Sequence, residues 1–227
     1  MPAPLQRYFR MALQDDQLII AALSASHIGA FNMGETAEQW KPFTAKQRII
    51  TRRPGFVWDA RIIMLAGAPV HVHDASIAGS GLLRGAIFAL VTVVNTPDTA
   101  EMAQGEMIRF FVEAAWYPTA LLPSPGLRWE AIDETSAHAT LTDGAHSVTL
   151  LFHFNKDGLI ETVRAEAHGR VAHEKTVFAP WQCRFWNYAV RAGMRVPIEG
   201  EVDWILPGGA NLYYRATTTS LEYEFEK

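Results

Sequence analysis

The stretch Gly55–Met64, "GFVWDARIIM", sets Phe56, Trp58, Ala60 and Ile62 against Val57, Asp59, Arg61 and Ile63. Successive side chains of a strand point to opposite faces, so this period of two predicts a β-strand with one face in a core. The same period recurs in "SVTLLFHFN" and "LIETVRAEAH", with the turn "NKDG", Asn155 to Gly158, between them. "HATLTDGAHSVTLLFHF" reads as a hairpin around Asp143 and Gly144. Working outward, further strands are expected at Leu18–Phe31, Val70–Ile77, Gly81–Leu90, Leu127–Ile132, Val177–Val190, Met194–Ile205 and Asn211–Glu226. Gly, Pro, Asn or Asp bounds each of them, as turns require.

Two helices interrupt the series. A short one is expected at Pro4–Leu13. A longer one starts near Thr96-Pro97-Asp98, an N-cap followed by early acidic residues, and ends around Trp116, before Pro118. A sheet of about nine to eleven strands curls by its own twist, and its concave side needs a filler. The apolar helix Asp98–Trp116 is that filler. The expected fold is mainly β (α+β): a large curved antiparallel sheet, a half-barrel, wrapped around one main helix plus a short N-terminal helix. No low-complexity linker or internal repeat divides residues 1–227, which are read as a single domain.

Bulk composition excludes several classes of function. Hydrophobic residues make up 49% and charged ones 19%, enough for a sizeable core in a globular chain. A formal net charge of -4, with no basic run, argues against a nucleic-acid partner. The longest apolar run, "GAIFALVTVV" (Gly85 to Val94), is far short of the roughly 18–20 residues of a membrane span. The N-terminal "MPAPLQRYFRMALQDDQ" lacks a signal-peptide core. With one cysteine, Cys183, there is no internal disulfide framework and no cysteine-based zinc cluster. A reducing, cytoplasmic location is expected.

The helix segment "GEMIRFFVEAAWYPTALLP", Gly105 to Pro123, poses the main functional question. At about 100° per residue, Glu106, Arg109 and Glu113 fall within about 60° of one another, forming one narrow line. Met107, Ile108, Phe111, Val112 and Ala115 form an ordinary buried face. The charged line, however, is flanked by Met102, Phe110, Trp116 and Tyr117, where a wet face would carry polar residues. A helix apolar nearly all round is covered on both sides. Its charges are then either weak surface pairs or a carboxylate–guanidinium–carboxylate array lining a cavity.

Other candidates are scattered. Asp59 and Arg61 share the strand face opposite Trp58. "VHVHDA" places His71 and His73 two apart on one face, a chelating spacing, but no third ligand stands nearby and no metal site is expected. His73 is a candidate acid or base. "GSGLLRG", Gly79 to Gly85, leads into a strand, so it lacks the helix N-terminus a phosphate loop needs. Cys183 lies in an aromatic strand and reads as an inert buried thiol. Seven Trp, twelve Phe and six Tyr exceed what core packing alone requires and suit an apolar or aromatic ligand, with Trp129 among the lining candidates.

The segments "PGFVWDARI", "GEMIRFFVEAAWYPTALLP", "LRWEAID" and "VPIEGEVDW" resemble an uncharacterised family of bacterial proteins of unknown function. The resemblance runs from Tyr8 onward and implies that Trp58, Asp59, Glu106, Arg109, Glu113, Trp116, Pro118 and Trp129 occupy motif positions. It implies no activity. The strand-and-helix pattern also looks like the half-barrel of lipoprotein carriers, an analogy of fold alone.

These readings lead to one expectation and one alternative. The expectation is a cofactor-independent enzyme acting on a small hydrophobic or aromatic molecule, of lyase, isomerase or hydrolase type. In it Glu106 or Glu113 is acid or base, Arg109 holds an anion or oxyanion, and Asp59 or His73 is the second proton carrier. Trp58, Met102, Phe110, Trp116, Tyr117 and Trp129 would bind the substrate. The alternative is a non-catalytic carrier of a lipid or other apolar ligand. Assembly into a homo-oligomer is compatible with both.

Overall fold

The computed structural model describes residues 1–34, 37–65, 68–77, 79–87, 91–96, 99–172 and 175–226. Its strands form one antiparallel sheet of thirteen, against the nine to eleven expected. The first six are β1 (Ile20–Asn32), β2 (Trp40–Ile50), β3 (Gly55–Leu65), β4 (Ala68–Ile77), β5 (Ser80–Ile87) and β6 (Val91–Thr96). The remaining seven are β7 (Leu127–Ala131), β8 (Ser136–Asp143), β9 (His146–Phe154), β10 (Ile160–Ala172), β11 (Lys175–Arg191), β12 (Met194–Leu206) and β13 (Gly209–Phe225).

The two strands absent from the expectation are β2 and β6. In β2 the buried residues are Phe43, Ala45, Gln47 and Ile49. Gln47 is only 3% exposed, so a polar side chain stands at a core position and breaks the apolar period. Four of the six β6 residues, Val91 to Val94, belong to the run Gly85–Val94, which merges β6 with the strand before it. That run includes Leu90, the expected end of β5, which lies outside the described residues, as do Pro97 and Asp98 at the expected helix start.

Sheet order is β6-β5-β4-β3-β2-β1-β13-β12-β11-β10-β9-β8-β7. The chain meanders outward from β1 to the edge strand β6. It then crosses to the opposite edge at β7 and meanders back until β13 pairs with β1. Helix α2 (Ala100–Glu113) lies on that crossing, which explains its place on the concave side. The Thr99 hydroxyl caps it, accepting from the Met102 N–H at 3.2 Å. A 3-10 turn, Ala114–Trp116, continues it, and another, Pro118–Leu121, leads toward β7.

Curvature follows from what α2 touches. It packs on β4 and β5 of one arm and on β9 and β10 of the other. In a flat sheet β5 and β9 would be about 43 Å apart, at about 4.8 Å per spacing, whereas a helix is only about 10–12 Å across. The sheet therefore wraps the helix as a half-barrel. Ala103, Met107, Ile108, Phe110, Phe111 and Val112 are all buried, so the helix is covered on more than one side. Phe111 meets Phe152 of β9, ring centroids 5.4 Å apart. Helix α1 (Ala3–Ala12) buries Leu5, Tyr8, Phe9 and Ala12 and packs on β12 and β8. None of the described helices is long and apolar enough to cross a membrane.

A buried charged line across five strands

The strand period places the partners of the helix charges. Along β3, Phe56, Trp58, Ala60 and Ile62 are buried and Asp59 and Arg61 are exposed, as the alternation predicts. Trp58 pairs with Asp74 on β4 and with Gln47 on β2. On β1 His27 pairs with Thr218 of β13. Asp74, Gln47, His27 and Thr218 are all under 9% exposed, and together they form an inward polar row across the concave face. The charged line of α2 lies over this row.

Arg109 is the centre. Its Nη1 donates to Asp74 Oδ2 at 2.5 Å and its Nε donates to Glu113 Oε1 at 2.9 Å. Its guanidinium lies 4.7 Å from the Phe56 ring centre and 5.0 Å from that of Trp58, a cation–π seat beneath two ion pairs. Gln47 Nε2 donates to Glu113 Oε2 at 2.7 Å, which turns the Gln47 carbonyl oxygen toward His27 Nε2 at 3.3 Å. His27 therefore carries its proton on Nε2, and its Nδ1 accepts from the Thr218 hydroxyl at 3.2 Å. Burial pulls the His27 pKa down to about 4, so the imidazole is neutral. The Trp116 ring covers it at 4.9 Å.

Glu106 extends the line at the other end. Burial, and then the charge of Asp74, raise its carboxyl well above the ordinary carboxylate range. Asp74 is raised as well, chiefly by burial, with Arg109 opposing. The two acids act on each other directly, and because both are raised, the pair keeps a proton at a pH where a free carboxyl has lost it. Asp74 Oδ1 and Glu106 Oε2 are both buried without a hydrogen-bond partner among the described residues, a cost that a proton held by the pair would lower.

Glu106, Arg109 and Glu113 are thus brought together, Glu106 buried and the other two half-buried. Asp59 and His73 are not part of that group. They pair with each other at 2.7 Å on the outer face, with side chains 64% and 44% exposed, because the strand period turns them away from Trp58 and Asp74. The expectation that either would be the second proton carrier beside the helix charges is corrected: the carboxyl beside Glu106 is Asp74. Of the aromatic candidates, Trp58 lies beneath Arg109, and Trp116 lies on His27. Tyr117 is fully buried, its hydroxyl donating to the Phe110 carbonyl, with the two rings 5.3 Å apart. Met102 packs where Gly81 has no side chain. Trp129 lies in the other arm, on β7, donating to the Leu121 carbonyl at 3.0 Å and packing at a tilt against Phe152, ring centroids 4.9 Å apart. Cys183 is buried, and burial pushes its thiol well up.

A family model described as "Family of unknown function (DUF6920)" matches residues 1–223. The chain belongs to that family. The resemblance carried by its Trp-Asp-Ala-Arg and Gly-Glu-x-x-Arg segments is borne out. No curated protein matches the chain. Among solved structures it is similar to a LolA superfamily protein from Nitrosomonas europaea, at 10% identity and a TM-score of 0.48, covering 99% of this chain and 93% of that one. It is also similar to a beta-barrel-like protein of a domain of unknown function from Brucella abortus, at 8% identity and a TM-score of 0.29, covering 92% and 100%.

A second group of inward residues escaped the sequence reading. Register breaks at Ala165/His168 on β10 and Val202/Asp203 between β12 and β13 locally re-aim side chains. His168, Trp181, Trp204 and Tyr213 meet there: Trp204 stacks on Tyr213 at 5.9 Å, and the Trp181 indole N–H donates to the Tyr213 hydroxyl at 2.9 Å. Tyr214 continues the wall toward Phe43 (5.4 Å) and Phe31 (5.0 Å). Phe31, Trp204, Tyr213 and Tyr214 are only half-buried. Bulges have no composition signature, so alternation counted straight through them assigns the wrong face.

Proposed function

We propose that this protein is a non-catalytic binder or carrier of an apolar ligand, held on the concave side of the half-barrel. The observation that carries this reading is the continuous inward aromatic wall of Phe31, Phe43, Tyr214, Tyr213 and Trp204, most of it half-buried. Aromatic faces left partly open on a concave surface are what an apolar guest covers. The helix charges support binding over turnover, since the Arg109 charge is already neutralised by Asp74 and Glu113.

Two measurements test this. Organic extraction and mass spectrometry of the purified protein should recover a bound amphiphile or lipid, and an apolar fluorescent dye should bind and be displaced by it. Trp204→Ala should weaken dye binding about tenfold, the order expected for losing one stacked aromatic contact. Glu113→Gln should change it less than twofold. An extract free of ligand, together with a dye that does not bind, would sink the reading.

One observation favours a second reading, cofactor-independent acid–base catalysis: the proton shared by Glu106 and Asp74 in a buried site. That reading requires an added ligand to be recovered chemically altered, and Glu106→Gln to stop the alteration while leaving binding in place.

A further inference from the structure

Two polar groups in the aromatic wall lack a complement. Arg170 on β10 is half-buried, its guanidinium carbon 5.5 Å from the Trp204 ring centre. Among the described residues it makes no ion pair and no side-chain hydrogen bond. It contrasts with Arg109, which two carboxylates neutralise.

His168, two residues earlier on the same strand, has a buried Nδ1 without a partner. Its ring is wedged between Trp181 at 4.9 Å and Trp204 at 5.4 Å. The other side of the ring is closed by Gly105 of α2, where an added Cβ would come within 3.1 Å of His168 Cε1. Gly105 thus lets the helix backbone approach the ring edge that carries Cε1 and Nδ1, and supplies no side chain to pair with Nδ1. A buried polar atom without a partner is rare enough in folded proteins to call for one. Burial keeps this imidazole neutral at ordinary pH, with its pKa lowered to about 4, so Nδ1 can present an N–H.

Both residues are therefore able to donate, and neither has an acceptor among the described residues. They stand about 6.6 Å apart along the strand, a gap that one anionic head group could bridge. The half-buried rings of Trp204, Tyr213 and Tyr214 run on from that point. We infer that the ligand is an amphiphile whose carboxylate or phosphate monoester head sits between Arg170 and His168 and whose apolar body lies along Trp204, Tyr213 and Tyr214. This rests on the binder reading and adds the chemical class of the ligand.

Calorimetric titration of the full chain with three twelve-carbon probes tests it: dodecanoate, dodecyl phosphate and dodecanol. At least one of the two anions should bind about tenfold more tightly than the alcohol, about 1.4 kcal/mol. Arg170→Gln should bring that anion to within about twofold of dodecanol measured on the same variant, and dodecanol binding to that variant reports that the apolar site is still formed. The tighter anion identifies the head as carboxylate or phosphate, and both support the inference. Equal binding of alcohol and anions, or a preference that survives Arg170→Gln, overturns the head-group assignment while leaving apolar binding in place. Binding of none of the three overturns the binder reading along with it.

Discussion

Arg109→Met should destabilise the fold by about 3–5 kcal/mol, the usual result of leaving buried charges without their partner. In a chain of this size that corresponds to a fall in Tm of roughly 6–20 °C. Methionine keeps most of the stem that covers Phe56 and Trp58, so the loss isolates the guanidinium from its packing. What remains are the carboxylates of Asp74 and Glu113, with side chains 11% and 14% exposed and no cation between them. Denaturant unfolding reads the effect directly. Adding Asp74→Asn and Glu113→Gln to Arg109→Met should recover part of the loss, because neutral amides no longer need the cation. A loss below about 1 kcal/mol for the single variant would mean that water reaches the carboxylates and that ion pairs do not seat the helix.

The same network explains which parts of the structure could be read from sequence. Alternation in "GFVWDARIIM" gives both faces of β3 correctly, because its inward residues are all apolar and its outward face carries the charges Asp59 and Arg61. Applied to β4, the same rule places Asp74 on the face of Val70 and Val72, opposite His71 and His73. That placement was available from the period alone. The histidines face outward, and the acid on the apolar side, Asp74, is the one that enters the site. Gln47 had the opposite effect: its polarity hid strand β2, and it is polar because it links Glu113 to His27. The helix line was legible as a line, since its flanks, Met102, Phe110, Trp116 and Tyr117, are not those of a wet face. Its partners were not legible, because they come from β1, β2, β4 and β13, brought together only when the sheet curls. The aromatic wall was hidden for a further reason. His168 and Tyr213 reach the interior through register breaks that shift the period by one.

The proton between Glu106 and Asp74 leads to the other large effect, which depends on pH. Glu106 has a folded pKa raised by burial and by Asp74, so the folded state holds a proton that the unfolded chain releases near pH 4.3, roughly the free glutamate value. The stability associated with that proton is complete below the unfolded pKa and is lost as pH rises to and through the folded one. Within that window the loss runs at about 1.4 kcal/mol per pH unit, the linkage slope for one proton. Buried His27 and His168, with folded pKa values of about 4, act in the opposite direction: their contribution is lost as pH falls below about 6.5. The wild-type profile mixes the two, so the informative quantity is a difference curve. Glu106→Gln has the shape of the protonated acid, and its amide N–H₂ can donate to Asp74 as the carboxyl O–H does. The variant keeps both histidines. It should match the wild type near pH 4 and become progressively more stable than it as pH rises, with the difference growing along the linkage slope. Denaturant unfolding at intervals from pH 4 to pH 9 measures this. A variant less stable than the wild type by a constant amount at every pH would place a charge, not a proton, on Glu106, and the shared-proton link between α2 and β4 would be wrong.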